Sequence, residues 1–164
     1  MKLFLSFRKP TFNGGSIMET HATYDDVNLV LRLYDLRRES RMRKARDWFA
    51  TSFKARTKDE FDALCPAGSE ENTYFRMVVS YWEMAASFIS SQVLNQELFF
   101  QSGRELLFVW EKVRDLAPQV REATKDPSFL RNLESVANSY IQWLNKQSPE
   151  AYSAFTARVR GMSR

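Results

Sequence analysis

Nucleophilic and metal-dependent chemistry usually needs histidine or cysteine, and this chain of 164 residues has one of each, His21 and Cys65. A serine or cysteine nucleophile needs a neighbouring base, and the single histidine is distant from Cys65 in a loop-like segment. Two such residues are too few for a zinc site, and the Glu-x-x-His motif of di-iron helical bundles is absent. No glycine-rich phosphate-binding motif is present. The sequence therefore favours a non-enzymatic protein without deciding the question, and we assign no catalytic, cofactor-binding or metal-binding residue.

A polar stripe inside an apolar segment is the first candidate site. Residues 74–93 are almost all apolar or small, and the polar exceptions are spaced by four, three and four residues, as on one face of an α-helix. The first four of these exceptions, which are the candidate site residues, are Arg76, Ser80, Glu83 and Ser87, and Ser90 follows three residues later. A structural interpretation pairs Glu83 with an arginine, because buried charges are normally paired, and the candidates are Arg37, Arg38 and Arg104. The alternative is a polar pocket for a small ligand, and we favour the structural interpretation.

A basic segment over residues 37–46 is the second candidate, with six cations and one acid. The cations are Arg37, Arg38, Arg41, Arg43, Lys44 and Arg46. Clustered cations neutralise phosphates, so one interpretation is nucleic-acid binding. The whole chain, however, carries a net charge of only +4, and no recognisable nucleic-acid-binding module surrounds the segment. We favour a solvated helix face whose arginines pair with Glu70, Glu71 or Glu83.

An apolar cluster is the third candidate. Leu98, Phe99 and Phe100 lie close to Gly103, which lets the chain change direction. An exposed apolar edge of this kind often marks a dimer contact. Packing of these side chains into the core is the simpler interpretation.

Helices are the elements that position all three candidates. A central helix over about residues 70–92 is apolar around most of its circumference and begins after Ser69 as its N-cap. Arg76 and Glu83 exclude a membrane span for this helix, because charges at the bilayer centre are costly. Thr23 and Asp26 predict the start of an earlier helix. Its apolar residues occupy two opposed faces, so we expect it to be sandwiched between other helices. A break near residues 39–40 should end it.

Prolines mark the boundaries of the later helices. Pro118 should end or kink a helix over residues 105–116. The pairs Asp126-Pro127 and Ser148-Pro149 should each begin a helix, over about residues 127–146 and 149–160. With no convincing strand pattern, the predicted fold class is all-α: a single-domain bundle of about five to seven helices around the central helix.

Domain organisation and compartment follow from the termini and the cysteine count. We expect residues 1–22 to be a disordered or peripheral extension, residues 23–160 one helical domain, and residues 161–164 a short tail. The apolar run in residues 1–7 is too short for an export signal, and residues 1–17 could precede a biological start at Met18. One cysteine allows no internal disulfide, which fits a reducing compartment. These features predict a cytoplasmic protein without a membrane partner.

Three segments, residues 29–49, 74–89 and 105–114, resemble a family of small uncharacterised bacterial all-helical proteins in their aromatic and arginine pattern. The resemblance covers about residues 23–145. It implies an all-helical domain in a bacterial cell and carries no activity, cofactor or site.

The sequence thus predicts a non-catalytic binding or regulatory module that acts through protein contacts, either with a partner or with itself as a homodimer. The alternative is a nucleic-acid-associated protein that uses residues 37–46. A third and less favoured interpretation is that the protein is a small-molecule sensor or an enzyme with a polar pocket near Glu83.

Overall fold

A computed structural model describes residues 21–161 of the chain. Over these residues the chain forms nine α-helices and no strand, which confirms the all-α class and slightly exceeds the predicted helix count. The helices are α1 (Tyr24–Arg37), α2 (Ser40–Thr51), α3 (Lys58–Leu64), α4 (Glu70–Ser90), α5 (Gln96–Ser102), α6 (Glu105–Val113), α7 (Ala117–Thr124), α8 (Arg131–Gln147) and α9 (Ala151–Gly161). Nearly all of the predicted N-terminal extension and C-terminal tail lies outside the described residues.

The helices α1 and α4 begin at the side-chain caps that were predicted from the sequence. The hydroxyl of Thr23 accepts from the backbone N–H of Asp26, with 3.2 Å between Oγ1 and N, and the carboxylate of Asp26 accepts from the backbone N–H of Thr23. At the start of α4, the hydroxyl of Ser69 accepts from the N–H of Asn72 at 3.1 Å. Both caps satisfy backbone donors that have no partner inside the helix.

A cap also explains the confirmed break between α1 and α2. The carboxylate of Glu39 accepts hydrogen bonds from the backbone N–H groups of Arg41 and Met42, at 2.9 and 3.0 Å from Oε2. These hydrogen bonds lower the pKa of Glu39 to about 2. The chain therefore starts a new helix here instead of continuing α1.

The fourth helix, α4, is the central element, as predicted. It packs against α2, α8 and α6 and buries side chains on most of its circumference. Its buried residues are Phe75, Val78, Val79, Tyr81, Trp82, Ala85, Ala86 and Ile89. On the opposite side of the core, Tyr140 of α8 stacks on Phe100 of α5 with ring centroids 4.2 Å apart. No helix among residues 21–161 is both long and apolar enough to cross a membrane.

Two boundaries near prolines differ from the prediction. Pro118 begins a further helix, α7, because a proline in the first turn lacks only an N–H that would have no helical partner. After Asp126 and Pro127 the chain forms turns, and α8 starts at Arg131 rather than at residue 127. Asp126 caps a local turn by accepting from the N–H of Ser128, and Leu130 adopts a left-handed φ of 53° immediately before α8.

Candidate functional site

Glu83 is bound by the start of α8 and not by an arginine. Its Oε1 accepts from the backbone N and the side-chain Nδ2 of Asn132, at 3.1 and 2.8 Å, and its Oε2 accepts from the backbone N of Leu133 at 2.8 Å. Leu130, which precedes α8, has no polar side chain to cap it. Glu83 therefore supplies the N-cap from another helix, and a carboxylate suits the positive end of the helix dipole. The predicted pairing with Arg37, Arg38 or Arg104 was wrong.

Three of the four predicted stripe residues line one groove. The groove lies between α4 and the turn before α8 and has a volume of about 630 Å³. Its lining residues are Thr73, Arg76, Met77, Val79, Ser80, Glu83, Ser128, Phe129 and Leu130. We call it the Arg76 groove. Ser87 is not part of it, since its hydroxyl donates back to the carbonyl of Met84 on the same helix.

The basic segment is divided between a partly buried ion-pair network and an exposed face. Arg37 Nη1 and Arg46 Nη2 both donate to Glu105 Oε2 of α6, at 2.9 and 2.6 Å, and this carboxylate raises the pKa of Arg46. Glu70, Glu71 and Glu83 were therefore the wrong acids for these two arginines. The other cations are exposed, and they are Arg38, Arg41, Arg43 and Lys44.

The predicted apolar edge near Gly103 is not exposed. Phe99 and Phe100 are both buried in the core. The hydroxyl of Tyr140 donates to the carbonyls of Phe100 and Gly103, at 2.7 and 3.0 Å, which closes this corner against α8. Core packing, the interpretation favoured from the sequence, is therefore correct for Phe99 and Phe100, and the alternative of an exposed dimer edge at these residues is wrong.

An uncovered apolar face lies instead on α1. Tyr24, Val27, Leu31 and Tyr34 are 79, 41, 56 and 44% exposed, and their spacing of three, four and three residues places them on one stripe. We call these four residues the α1 stripe. Only Asp26 and Leu33 of α1 are buried, so the helix lies on the surface and is not sandwiched as predicted. The helix α1 does have the second apolar face that was predicted from the sequence, but no described element covers this face.

A smaller groove runs along the α1 stripe, between α1 and α5. It has a volume of about 250 Å³, and two stripe residues, Leu31 and Tyr34, form part of its wall. Trp82 of α4 also lines it. The Nε1 of Trp82 is buried without a hydrogen-bond partner among the described residues. Buried donors normally have an acceptor, so this indole N–H is an exception in the core.

The cysteine thiol is buried, and the described acids form no cluster of the kind that binds a metal ion. Cys65 is buried, and burial raises the pKa of its thiol to about 11, so the thiolate nucleophile is scarce at neutral pH. Within residues 21–161, no group of three or more His, Cys, Asp or Glu side chains is arranged to hold a metal ion.

Comparison with known proteins adds a family. The model of a domain of unknown function, DUF4760, matches residues 22–143. The chain belongs to the DUF4760 family. The match includes every residue of the Arg76 groove and of the α1 stripe, and it agrees with the resemblance to an uncharacterised helical family. No curated protein and no solved structure matches the chain.

The last helix, α9, lies outside the DUF4760 match. It contacts α6 through a polar cluster that was not predicted from the sequence. The hydroxyl of Tyr152 donates to Oε1 of the buried Glu111, and Arg114 Nη1 donates to the Tyr152 hydroxyl at 2.9 Å. Burial raises the pKa of Tyr152 to about 12, and the hydrogen bond to Glu111 adds to this effect. The available signal was a lone glutamate inside the apolar segment of α6, which required a partner.

Proposed function

We propose that this DUF4760 protein is a non-catalytic binding module that acts through protein contacts, and that its partner on the α1 stripe is a second copy of the chain. The uncovered stripe is the observation that carries the proposal. Exposed apolar patches of a few hundred Å² on a folded domain commonly mark interaction surfaces. Burying such a patch yields roughly 25 cal/mol per Å² before the cost of association is subtracted.

The charges at the two ends of α1 favour a second copy in antiparallel orientation. The first turn is acidic and exposes Asp25, whereas Arg38 follows the last turn and is also exposed. Two antiparallel copies place Asp25 of each copy toward Arg38 of the other, and their helix dipoles also oppose one another favourably. A parallel pair brings like charges together. A two-fold dimer uses the same patch twice, so one self-complementary helix is sufficient.

The groove between α1 and α5 supports the same contact. It borders Leu31 and Tyr34 and has room for a large side chain from the opposing stripe. The contact therefore offers apolar burial for the entering side chain.

Sedimentation equilibrium tests the proposal. We expect the wild-type chain to dimerise with a dissociation constant on the order of 1–100 μM, as for a small interface. Leu31→Glu should weaken dimerisation at least tenfold, because it places a charge at the centre of the stripe. Met84→Glu is the matched control, since Met84 is an exposed apolar residue on α4 and lies in neither groove. A monomeric wild type at about 500 μM, or equal weakening by both variants, overturns the proposal.

Nucleic-acid binding through residues 37–46 has less support. Glu105 pairs with two of its six cations, Arg37 and Arg46, which leaves fewer of them free to contact phosphates. A bacterial origin and a cytoplasmic location belong to the proposal as well. They rest on the aromatic and arginine pattern of the sequence and on its single, buried cysteine.

A further inference from the structure

The Arg76 groove has the size and composition of a small-molecule site. Sites for small ligands commonly have volumes of about 300–1,000 Å³, with apolar walls and a few polar groups that fix orientation. The volume here is about 630 Å³. Met77, Val79, Phe129 and Leu130 supply the apolar wall. Three hydroxyl side chains also line the groove, and they belong to Thr73, Ser80 and Ser128.

We propose that the Arg76 groove binds a small amphipathic monocarboxylate, with the carboxylate on Arg76 and the hydrocarbon part along Met77 and Phe129. No described residue forms an ion pair or hydrogen bond with Arg76, which is exposed on α4. A free guanidinium at the side of an apolar groove binds a carboxylate through two parallel N–H···O bonds. This proposal is independent of dimerisation, because the groove and the α1 stripe share no residue.

Glu83 does not neutralise Arg76. Seven residues of helix separate the two side chains, which corresponds to about 10 Å along the axis. The carboxylate of Glu83 already accepts three hydrogen bonds from Asn132 and Leu133 at the start of α8. The groove therefore has a free cation at one end and a satisfied anion at the other.

The same arrangement selects the class of ligand. A dicarboxylate of similar length would place its second charge near Glu83, where like charges repel. A neutral alcohol leaves Arg76 without a partner, and an amine places a positive charge beside it. A monocarboxylate with an apolar chain satisfies Arg76 and covers the apolar wall without approaching Glu83 with a second charge.

The far wall of the groove is held in place before a ligand binds. Arg121 Nε donates to the carbonyl of Phe129 at 2.8 Å, and Arg121 Nη1 also pairs with Glu134 of α8 at 2.7 Å. Leu130 is fixed in its left-handed conformation between this contact and the start of α8. A wall that is already ordered loses little entropy on binding, which favours affinity for a small ligand.

Calorimetric titration with octanoate tests the proposal. We expect octanoate to bind at one site, and 1-octanol, octylammonium and the dicarboxylate suberate to bind at least tenfold more weakly. Arg76→Gln should reduce octanoate affinity about tenfold or more. Ser87→Ala is the matched control, since Ser87 lies on the same helix outside the groove. It should leave the affinity unchanged.

A second variant separates this groove from the α1 stripe, which is also apolar. Leu31→Glu should not change octanoate binding, whereas Ser80→Phe should abolish it by filling the groove, with the circular dichroism spectrum of the wild type retained. Equal affinity for octanoate and 1-octanol, or full affinity in Arg76→Gln, overturns the proposal. Loss of binding in Leu31→Glu alone would place the ligand on the stripe and also overturns it.

Discussion

The carboxylate of Glu83 on α4 accepts a hydrogen bond from the backbone N–H of Leu133 on α8, with 2.8 Å between Oε2 and N. Helices usually take their N-cap from the residue just before the first turn. Here that residue is Leu130, which has no polar side chain, and the cap comes from the central helix instead. The same contact joins two helices that pack closely along their length. One side chain therefore completes the hydrogen bonds of one helix and fixes its position on another.

Removing this cap should destabilise the domain. We expect Glu83→Ala to lower the free energy of unfolding by about 1–3 kcal/mol, because it leaves partly buried N–H donors of α8 without an acceptor. Glu83→Gln should lose less, since its amide oxygen can still accept one of these bonds. Urea denaturation measures both. Glu122→Ala, at an exposed position of α7, is the control and should change stability by less than about 0.5 kcal/mol. Similar losses for Glu83→Ala and Glu122→Ala would refute the capping role.

Glu105 should matter more for stability than a surface acid. Its carboxylate receives both Arg37 and Arg46, and all three side chains are 18–29% exposed. Glu105→Gln should cost about 1–2 kcal/mol of unfolding free energy, because it leaves two partly buried guanidinium groups without a counter-charge. Asp62→Asn removes an exposed pair with Lys58 and should cost less than about 0.5 kcal/mol. A cost for Glu105→Gln as small as that for Asp62→Asn would show that the network is only a surface contact.

Cys65 should make the wild type sensitive to alkaline pH. Burial raises the pKa of its thiol to about 11 in the folded chain, above the value of about 8.5 for an unfolded cysteine. The stability that comes from a protonated thiol is therefore fully present below about pH 8.5 and is lost as the pH rises toward 11.

Comparison with a variant isolates this effect from other groups. Between pH 8 and 10.5, the wild type should lose on the order of 1–2 kcal/mol more stability than Cys65→Ala. Native protein at pH 8 should also react slowly with a disulfide reagent and rapidly once unfolded in urea. Parallel pH profiles for the two proteins would contradict the raised pKa.

Much of the fold could be predicted from the sequence because its signals are local. The caps of α1 and α4 depend on residues three positions apart, and both were located correctly. The break at Glu39 was also correct, because uninterrupted helix would have placed arginines in an apolar stripe. Pro118 and Pro127 were less specific signals of where a helix begins or ends. A proline fits the first turn of a helix as well as a turn outside it, and the choice depends on neighbouring packing.

An all-helical chain with a central apolar helix could be predicted from the order of the residues, and so could the position of Arg76, Ser80 and Glu83 on one helix face. The partners of those residues, in contrast, depend on how the helices pack in three dimensions. Glu83 contacts a residue 50 positions away, and Arg37 pairs with an acid 68 positions away. Helix periodicity specifies which residues share a face, but the choice among several acids and cations depends on how the helices pack. That packing also left one apolar face of α1 uncovered and placed Phe99 and Phe100 in the core, outcomes that spacing along the chain does not distinguish.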